Sequence, residues 1–313
     1  MQKCLVTGGA GFIGSHIVEA LLRRGDQVRV LDNFSTGNPD NLKDVREDIE
    51  VIEGDLRKSS DVQDAVKGMD TIFHLAAFVS VPQSMEDPGA CFDTNVNGTI
   101  QLFKLAEEAG VNRIVIASSA AVYGENPALP LNENATTDPL SPYAASKRVG
   151  EIYTKVYTAL LTLDVVALRY FNVYGPRQNP NSDYAAVIPI FIKKMIDEED
   201  PVIFGDGLQS RDFVYIDDVV RANLLAAESS QASGQIINIC SGIEINLLQL
   251  IDSLSGFFNR EVQPVYEKKR PGDIYRSSGD PTLAGNVLNF KPEVNLDTGL
   301  LKTVSWTKGN RQG

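Results

Sequence analysis

The segment GGAGFIG lies between a short apolar run, CLVT, and a stretch of helical periodicity, and it sets glycines at Gly8, Gly11 and Gly14. A glycine at a strand-to-helix turn supplies dihedrals denied to other residues, and a second lets the backbone approach a pyrophosphate. The first helical turn, which holds Phe12 and Ile13, offers unpaired N–H groups and the positive end of the helix dipole. Strand, turn and helix together make a phosphate cradle. Eighteen residues beyond Gly14, Asp32 closes the next strand-like run. A carboxylate there accepts both ribose hydroxyls of an adenosine but repels a 2'-phosphate, which favours NAD over NADP. Asn33 follows it, and GDL at 54–56 ends a third such run, placing Asp55 and Leu56 at the adenine.

Around this segment, β-rich runs at 3–7, 28–32, 50–53, 71–74, 113–117 and 165–170 alternate with amphipathic stretches at 12–24, 61–67, 89–109 and 143–161. That rhythm predicts an α/β fold, a Rossmann-type doubly wound parallel sheet. After about residue 175 the Pro/Asn-rich GPRQNPNSDY breaks it, and the later elements are shorter and irregularly spaced. We expect residues 1–174 to form a dinucleotide-binding domain with later segments interleaved into it, and 175–313 to form mainly a smaller mixed α/β substrate lobe. The 41 acidic residues against 29 basic give a net charge of -12, which argues against nucleic-acid and anionic-membrane partners and for a small molecule. Cys4, Cys91 and Cys240 share no close spacing, so neither a disulfide framework nor a metal site is expected. The N-terminus enters a strand without a leader-like pattern, and no run of about 18 apolar residues occurs. The expectation is a cytoplasmic enzyme.

In SPYAASKRVGE, Tyr143 and Lys147 stand four apart in a helical stretch and so share one face. Of ten tyrosines, only Tyr143 has a lysine at that offset. A phenol beside an ammonium and a nicotinamide cation is acidified enough for acid/base work near neutral pH. Just upstream, IVIASSAAVYG carries Ser118 and Ser119 at the C-terminal end of a β-rich run, the side on which open α/β sheets bind ligands. A hydroxyl, a phenol and an ammonium then converge.

Over nearly its whole length the sequence resembles the extended short-chain dehydrogenase/reductases, and within them the nucleotide-sugar 4-epimerases. The resemblance is carried by TGGAGFIGSH, HLAA at 74–77, NVNGT at 95–99, SSAAVYG at 118–124, SPYAASK at 141–147, RYFNVYGPR at 169–177, SRDFVYIDDV at 210–219 and RPGD at 270–273. It implies that Ser119 bonds the sugar 4-oxygen, that Tyr143 takes the 4-hydroxyl proton, and that Lys147 holds the nicotinamide ribose while lowering the Tyr143 pKa. Hydride would pass from C4 to a permanently bound NAD and return to the other face of a 4-keto sugar. Leu75, Ala76, Ala77, Asn95 and Tyr170 belong to the implied cofactor pocket. Asn172, Val187, Arg211, Arg270, Asp273 and Ser277 belong to the implied UDP-sugar site, with the two arginines at the phosphates, a geometry that guanidinium forks suit. The resemblance also implies a homodimer, made by the helices at 89–109 and 143–161.

Family 4,6-dehydratases place Asp and Glu directly after the catalytic hydroxyl, and nucleotide-sugar decarboxylases keep a Glu there. Ala120 and Ala121 occupy those positions and can supply no proton, which favours an epimerase. A non-catalytic NAD sensor would be expected to lack the tyrosine or the lysine. For the sugar, Ser277 stands where the family places a bulky aromatic in enzymes restricted to UDP-glucose and UDP-galactose, and a smaller residue in those admitting N-acetyl sugars. Tyr275 would fill that gate if the alignment slipped by two. Arg177 could meet the carboxylate of a uronic acid, so hexose, N-acetylhexosamine and uronate stay open. His74 is expected to orient groups beside the cofactor, and His16 to be structural.

Overall fold

The computed structural model describes residues 1–161, 163–180, 186–258, 261–269 and 273–309. Its main sheet contains β1 (Lys3–Thr7), β2 (Gln27–Asp32), β3 (Ile49–Glu53), β4 (Thr71–His74), β5 (Arg113–Ser119), β6 (Asp164–Tyr170) and the strand Ile236–Ile239. Starting from Ile236–Ile239, the order continues β6, β5, β4, β1, β2, β3, and every pairing is parallel. Alternate side chains feed two cores. Cys4, Val6, Val30, Phe73, Val115 and Val166 pack with the helices Phe12–Arg24 and Ile216–Glu228. Leu5, Leu31, Ile72, Ile114 and Val165 pack on the other face with Ser59–Val66, Gly98–Glu108 and Pro142–Leu160. Strands covered on both faces are largely apolar, which is why β1, β4, β5 and β6 read as near-continuous hydrophobic runs, while β3 at the sheet edge alternates with Glu50 and Glu53.

The chain leaves β1 towards β2 but returns on the other side at β4, so a crevice opens between their C-terminal ends. Gly8 and Leu75 emerge there. Two departures from the expected elements bear on the site. β5 runs two residues further than expected, to Ser119, because Ser118 and Ser119 pair with Arg169 and Tyr170 of β6. The stretch expected as one helix at 89–109 is Pro88–Phe92, a π-helical turn at Asp93–Asn97, and Gly98–Glu108. The π turn bonds Gly98 N to Asp93 O, one residue further than an α turn would reach.

Beyond the sheet, Glu244–Asn246, Ser210–Tyr215 and Asn172–Tyr174 form a mixed three-stranded sheet, and Val202–Phe204 pairs with Val265–Glu267. The strand Ile236–Ile239 joins the main sheet from within the later half of the chain, and the last helix is Leu296–Gly309. Among the described residues, no helix is long and apolar enough to cross a membrane.

Candidate active site

A cleft of about 1510 Å³ opens at the crevice. Drug-sized ligands fill pockets of roughly 300–1,000 Å³, so this one has room for a dinucleotide. Its floor is the glycine turn. Gly8 has φ +70°, and a β-carbon on it would lie 2.7 Å from Ala76 N. Gly14 lets the helix sit on the strand, since a β-carbon there would come within 2.1 Å of Gly8 O. Gly11 differs, because a β-carbon would meet only Gly8 O, at 3.1 Å, and otherwise open space. That open face at the start of Phe12–Arg24 is where a pyrophosphate fits.

Asp32 closes β2 and is 7% exposed. Its two carboxylate oxygens accept from Ala10 N at 2.9 Å and Phe34 N at 2.8 Å, each keeping a further lone pair for a ribose hydroxyl. Burial pushes its pKa up and the two amides pull it back. Asn33, Asp55 and Leu56 line the same end, where Asn33 Nδ2 donates to Asp55 Oδ2 at 3.1 Å. The Arg57 guanidinium holds Asp55 well below the usual carboxylate range. Phe12, Ile13, Leu75, Ala76, Ala77 and Tyr170 also face the cleft. The Tyr170 hydroxyl points away from it, donating to Asn223 Oδ1 at 2.9 Å.

Asn95, expected to complete the pocket, lies behind the wall. Its Oδ1 accepts from Phe78 N at 2.7 Å, and its Nδ2 donates to Phe78 O at 3.0 Å and to Ser146 Oγ at 2.9 Å. It props the wall instead of facing the cleft, and the π turn presents Thr94 to the cleft in its place. His74 acts at a similar remove. Its ring nitrogens hydrogen-bond Thr7 Oγ1 at 2.7 Å and Thr99 Oγ1 at 2.9 Å, and Thr7 Oγ1 accepts from Ala76 N on the cleft wall. His16 Nε2 donates to Pro176 O at 3.0 Å, tying the first helix to the 175–180 loop. No group of metal-ligating side chains occurs among the described residues.

Burial, with Lys147 adding to it, pulls His74 down to about 3 from 6.5. The native ring therefore stays neutral while the unfolded chain takes up a proton, so stability is lost as pH falls from 6.5 towards about 3. The loss reaches up to about 1.4 kcal/mol per pH unit in that window. Urea melts across it are expected to show this steeper decline in the wild type and a flatter one in His74→Asn.

Ser119, Tyr143 and Lys147 meet at the cleft from two elements, the end of β5 and the start of Pro142–Leu160. Ser141 caps that helix by accepting from Ala144 N at 3.1 Å, and Pro142 occupies its first turn. Lys147 Nζ donates to Ala117 O at 2.9 Å and stands 5.8 Å from the centre of the Tyr143 ring. Burial lowers the Lys147 pKa to about 8. Burial also raises Tyr143, while the Ser119 hydroxyl beside it works the other way. Ser118 is committed elsewhere, donating to Glu151 Oε1 at 2.6 Å, which leaves Ser119 as the hydroxyl facing the phenol.

The residues expected at the sugar nucleotide gather beyond the cleft lining. Arg211 Nη1 donates to Ser210 O at 2.8 Å, Ser210 N donates to Tyr275 O at 2.9 Å, and Ser277 N donates to Ser210 O at 3.2 Å. Arg211 meets no carboxylate at ion-pair distance among the described residues; burial lowers its pKa, and the charge of Asp273 works the other way. Ser277 is 8% exposed, whereas Tyr275 turns outward and donates to Asp206 Oδ2 at 2.9 Å. Asn172 pairs with Phe213 in the small sheet, between Phe171 and Val173 of the cleft wall. Val187 begins the helix Val187–Ile196 and packs on the main core, and Pro189 of the same helix reaches the cleft. Arg270 lies outside the described residues. Arg177 borders the cleft, but its guanidinium pairs with Glu19.

Residues that sequence reading does not find also line the cleft: the 34–44 segment (which runs into the 3-10 helix Pro39–Asp48), Gln83, and Thr303, Trp306 and Thr307 of the last helix. The last helix is brought there by packing on Val187–Ile196 and Ser210–Tyr215, contacts with no local signal.

Residues 4–240 match the model of the NAD dependent epimerase/dehydratase family. A putative UDP-glucose 4-epimerase from Methanocaldococcus jannaschii is 42% identical, over 98% of this chain and 99% of its own. A solved UDP-N-acetylglucosamine 4-epimerase from Methanobrevibacter ruminantium, in complex with UDP-N-acetylmuramic acid, has a TM-score of 0.94 at 40% identity, covering 99% of both chains. UDP-glucose 4-epimerase from Thermus thermophilus, in complex with NAD, has a TM-score of 0.90 at 36% identity, covering 98% of this chain and 99% of that one.

Proposed function

The chain belongs to the NAD dependent epimerase/dehydratase family, and from that premise we propose that it inverts C4 of UDP-hexoses and accepts their N-acetylated forms. The observation that carries the reading is the convergence of Ser119, Tyr143 and Lys147 on the cleft, with Ala120 and Ala121 directly after the serine. Tyr143 takes the proton of the sugar 4-hydroxyl, and the Ser119 hydroxyl holds the same oxygen in place. Lys147, fixed by the Ala117 carbonyl, keeps a positive charge beside the phenol and so favours its ionised form. NAD, when bound, supplies the reversible hydride acceptor that inversion at a carbinol carbon requires. Gly8, Gly11, Gly14 and Asp32 hold that cofactor. No carboxylic acid directly follows Ser119, so Ala120 and Ala121 offer no proton donor or acceptor for the removal of water.

A UDP moiety brings charge into a protein of net -12. Arg211, without a carboxylate partner among the described residues, supports a phosphate site in this cluster. The small Ser277, with Tyr275 turned outward, supports room for an N-acetyl group. The pairing of Arg177 Nη2 with Glu19 offsets the charge a uronate would have met, and Nη1 is left without a partner among the described residues. The test is Ser277→Tyr, expected to cut turnover of UDP-N-acetylgalactosamine by about 10–200-fold, the discrimination that pocket volume provides, while sparing UDP-galactose. Equal losses on both sugars would refute the gate. Met85, Phe92, Ile152, Val156 and Leu160 expose apolar side chains on neighbouring helices, which supports a homodimer. Three buried free cysteines fit a reducing cytoplasm.

A further inference from the structure

Glu151 stands on the Pro142–Leu160 helix one turn beyond Lys147 and has no exposure to solvent. A carboxylate is tolerated there only when its lone pairs are satisfied. Oε1 accepts from Ser118 Oγ at 2.6 Å and Arg169 Nε at 2.6 Å, and Oε2 accepts from Arg169 Nη2 at 2.8 Å and Arg148 Nη1 at 2.9 Å. Arg169, 2% exposed at the end of β6, gives its remaining arm to Tyr123 Oη at 2.7 Å. Tyr123 in turn donates to Asn238 Oδ1 at 2.8 Å, and Asn238 Nδ2 donates to Leu131 O at 2.8 Å. Leu131 N then donates to Ser278 O at 2.8 Å, next to Ser277.

The positions of these groups matter more than their number. Ser118 precedes Ser119, and Tyr123 closes the 3-10 turn that Ser119 begins, so both flanks of the reactive hydroxyl are held by one buried ion pair. Glu151 lies four and eight residues from Lys147 and Tyr143 on one helix, which puts the same pair in rigid register with the phenol. Of Ser118, Glu151, Arg169, Tyr123 and Asn238, only Ser118 lines the cleft. An ion pair serving packing alone could sit anywhere in the core, and apolar residues of similar volume would do as well.

We propose that Glu151 is a positioning residue that, through Ser118 on one side and Arg169 and Tyr123 on the other, sets the approach of the Ser119 hydroxyl to the Tyr143 phenol. The inference rests on the reading of Ser119 and Tyr143 given above. Ser118→Ala and Tyr123→Phe each remove one hydroxyl while leaving Glu151 and Arg169 paired. Both are assayed at a temperature where they are fully folded. The expected result is a kcat reduced about 10-fold with KM and bound NAD unchanged, less than the ~10²-fold cost of a 1 Å misplacement. Glu151→Gln is expected to lose more, and should it not fold, the two milder variants decide.

A second readout needs no sugar. The Tyr143 phenol faces Ser119, Lys147 and Cys91, so a retreat of the Ser119 hydroxyl moves its ionisation to higher pH. That is measured as tyrosinate absorbance against the same variants carrying Tyr143→Phe. Unchanged kcat and unchanged Tyr143 titration, with only a lower melting temperature, would overturn the proposal and leave the network a packing device. A wild type that converts no UDP-sugar would count against the proposed function instead, and the titration would still decide the role of Glu151.

Discussion

Tyr143→Phe is expected to lower turnover of UDP-galactose by about 10³-fold or more while leaving NAD and UDP-sugar bound. The substitution deletes one oxygen and keeps the ring that Lys147 faces at 5.8 Å, so the wall of the cleft is preserved. What goes is the proposed proton carrier, and positioned general acid/base groups contribute roughly 10²–10⁴-fold. Among the described residues no other phenol replaces it: Tyr170, also on the wall, sends its hydroxyl to Asn223. Ser119 would keep its place through the bond from Ala121 N at 3.2 Å, but a serine hydroxyl is far too weak an acid/base group to substitute at neutral pH. Steady-state kinetics with equilibrium binding of UDP-galactose separates the outcomes. Turnover within a few-fold of wild type would remove Tyr143 from the chemistry.

The second large effect is expected at Gly14. In Gly14→Ala the new carbon would lie 2.1 Å from Gly8 O and 2.9 Å from both Gly8 C and Gly9 Cα. These are backbone atoms of the turn itself, so no side chain can swing aside. Overpacking costs about 1–3 kcal/mol, occasionally more, and a backbone clash of this depth belongs at or above the upper end. We expect Gly14→Ala to be destabilised by about 3 kcal/mol and to purify without cofactor. Gly11→Ala provides the contrast, because its new carbon meets only Gly8 O and projects into open space. It is expected to fold normally and to hold NAD more weakly. Urea melts with the cofactor content of the purified protein check both, and equal behaviour of the two alanines would contradict the separate roles given to these glycines.

The difference between those two glycines is half legible in the sequence. Their spacing announces a cradle, but only the packing tells which one faces the helix and which the ligand. The same division runs through the rest of the chain. β1 to β6 and the Phe12–Arg24 helix can be read because each is a local pattern, a short β-rich apolar run, alternating with polar residues in the edge strand β3, or a stripe of period 3.6. β5 reads short because its last two residues are serines, and their place in the sheet is fixed by pairing with β6. The π turn at Asp93–Asn97 has helical composition and no local mark. Ile236–Ile239 and Leu296–Gly309 join the sheet and the cleft through contacts far away in sequence.

In the candidate site, the convergence of Asp32, Ser119, Tyr143 and Lys147 on the cleft is legible from residue type, spacing and position at a strand or helix end. Asn95 reads as a cofactor residue, yet its whole amide is used between Phe78 and Ser146. Arg177 cannot be recognised from sequence as already paired, since Glu19 lies on the first helix and the two meet only in the folded chain. Residue type and position alone leave Ser118 and Ser119 alike; the family motif singles out Ser119, and the buried Glu151, by engaging Ser118, agrees with it.

The most direct measurement incubates the purified protein, without added cofactor, with UDP-galactose, UDP-N-acetylgalactosamine and UDP-galacturonate separately, resolving products by chromatography or NMR. The first two are expected to convert to their gluco epimers by cofactor already bound, and the third little or not at all. Absence of any conversion, even after NAD is supplied, would contradict the assignment of C4 inversion to Ser119, Tyr143 and Lys147.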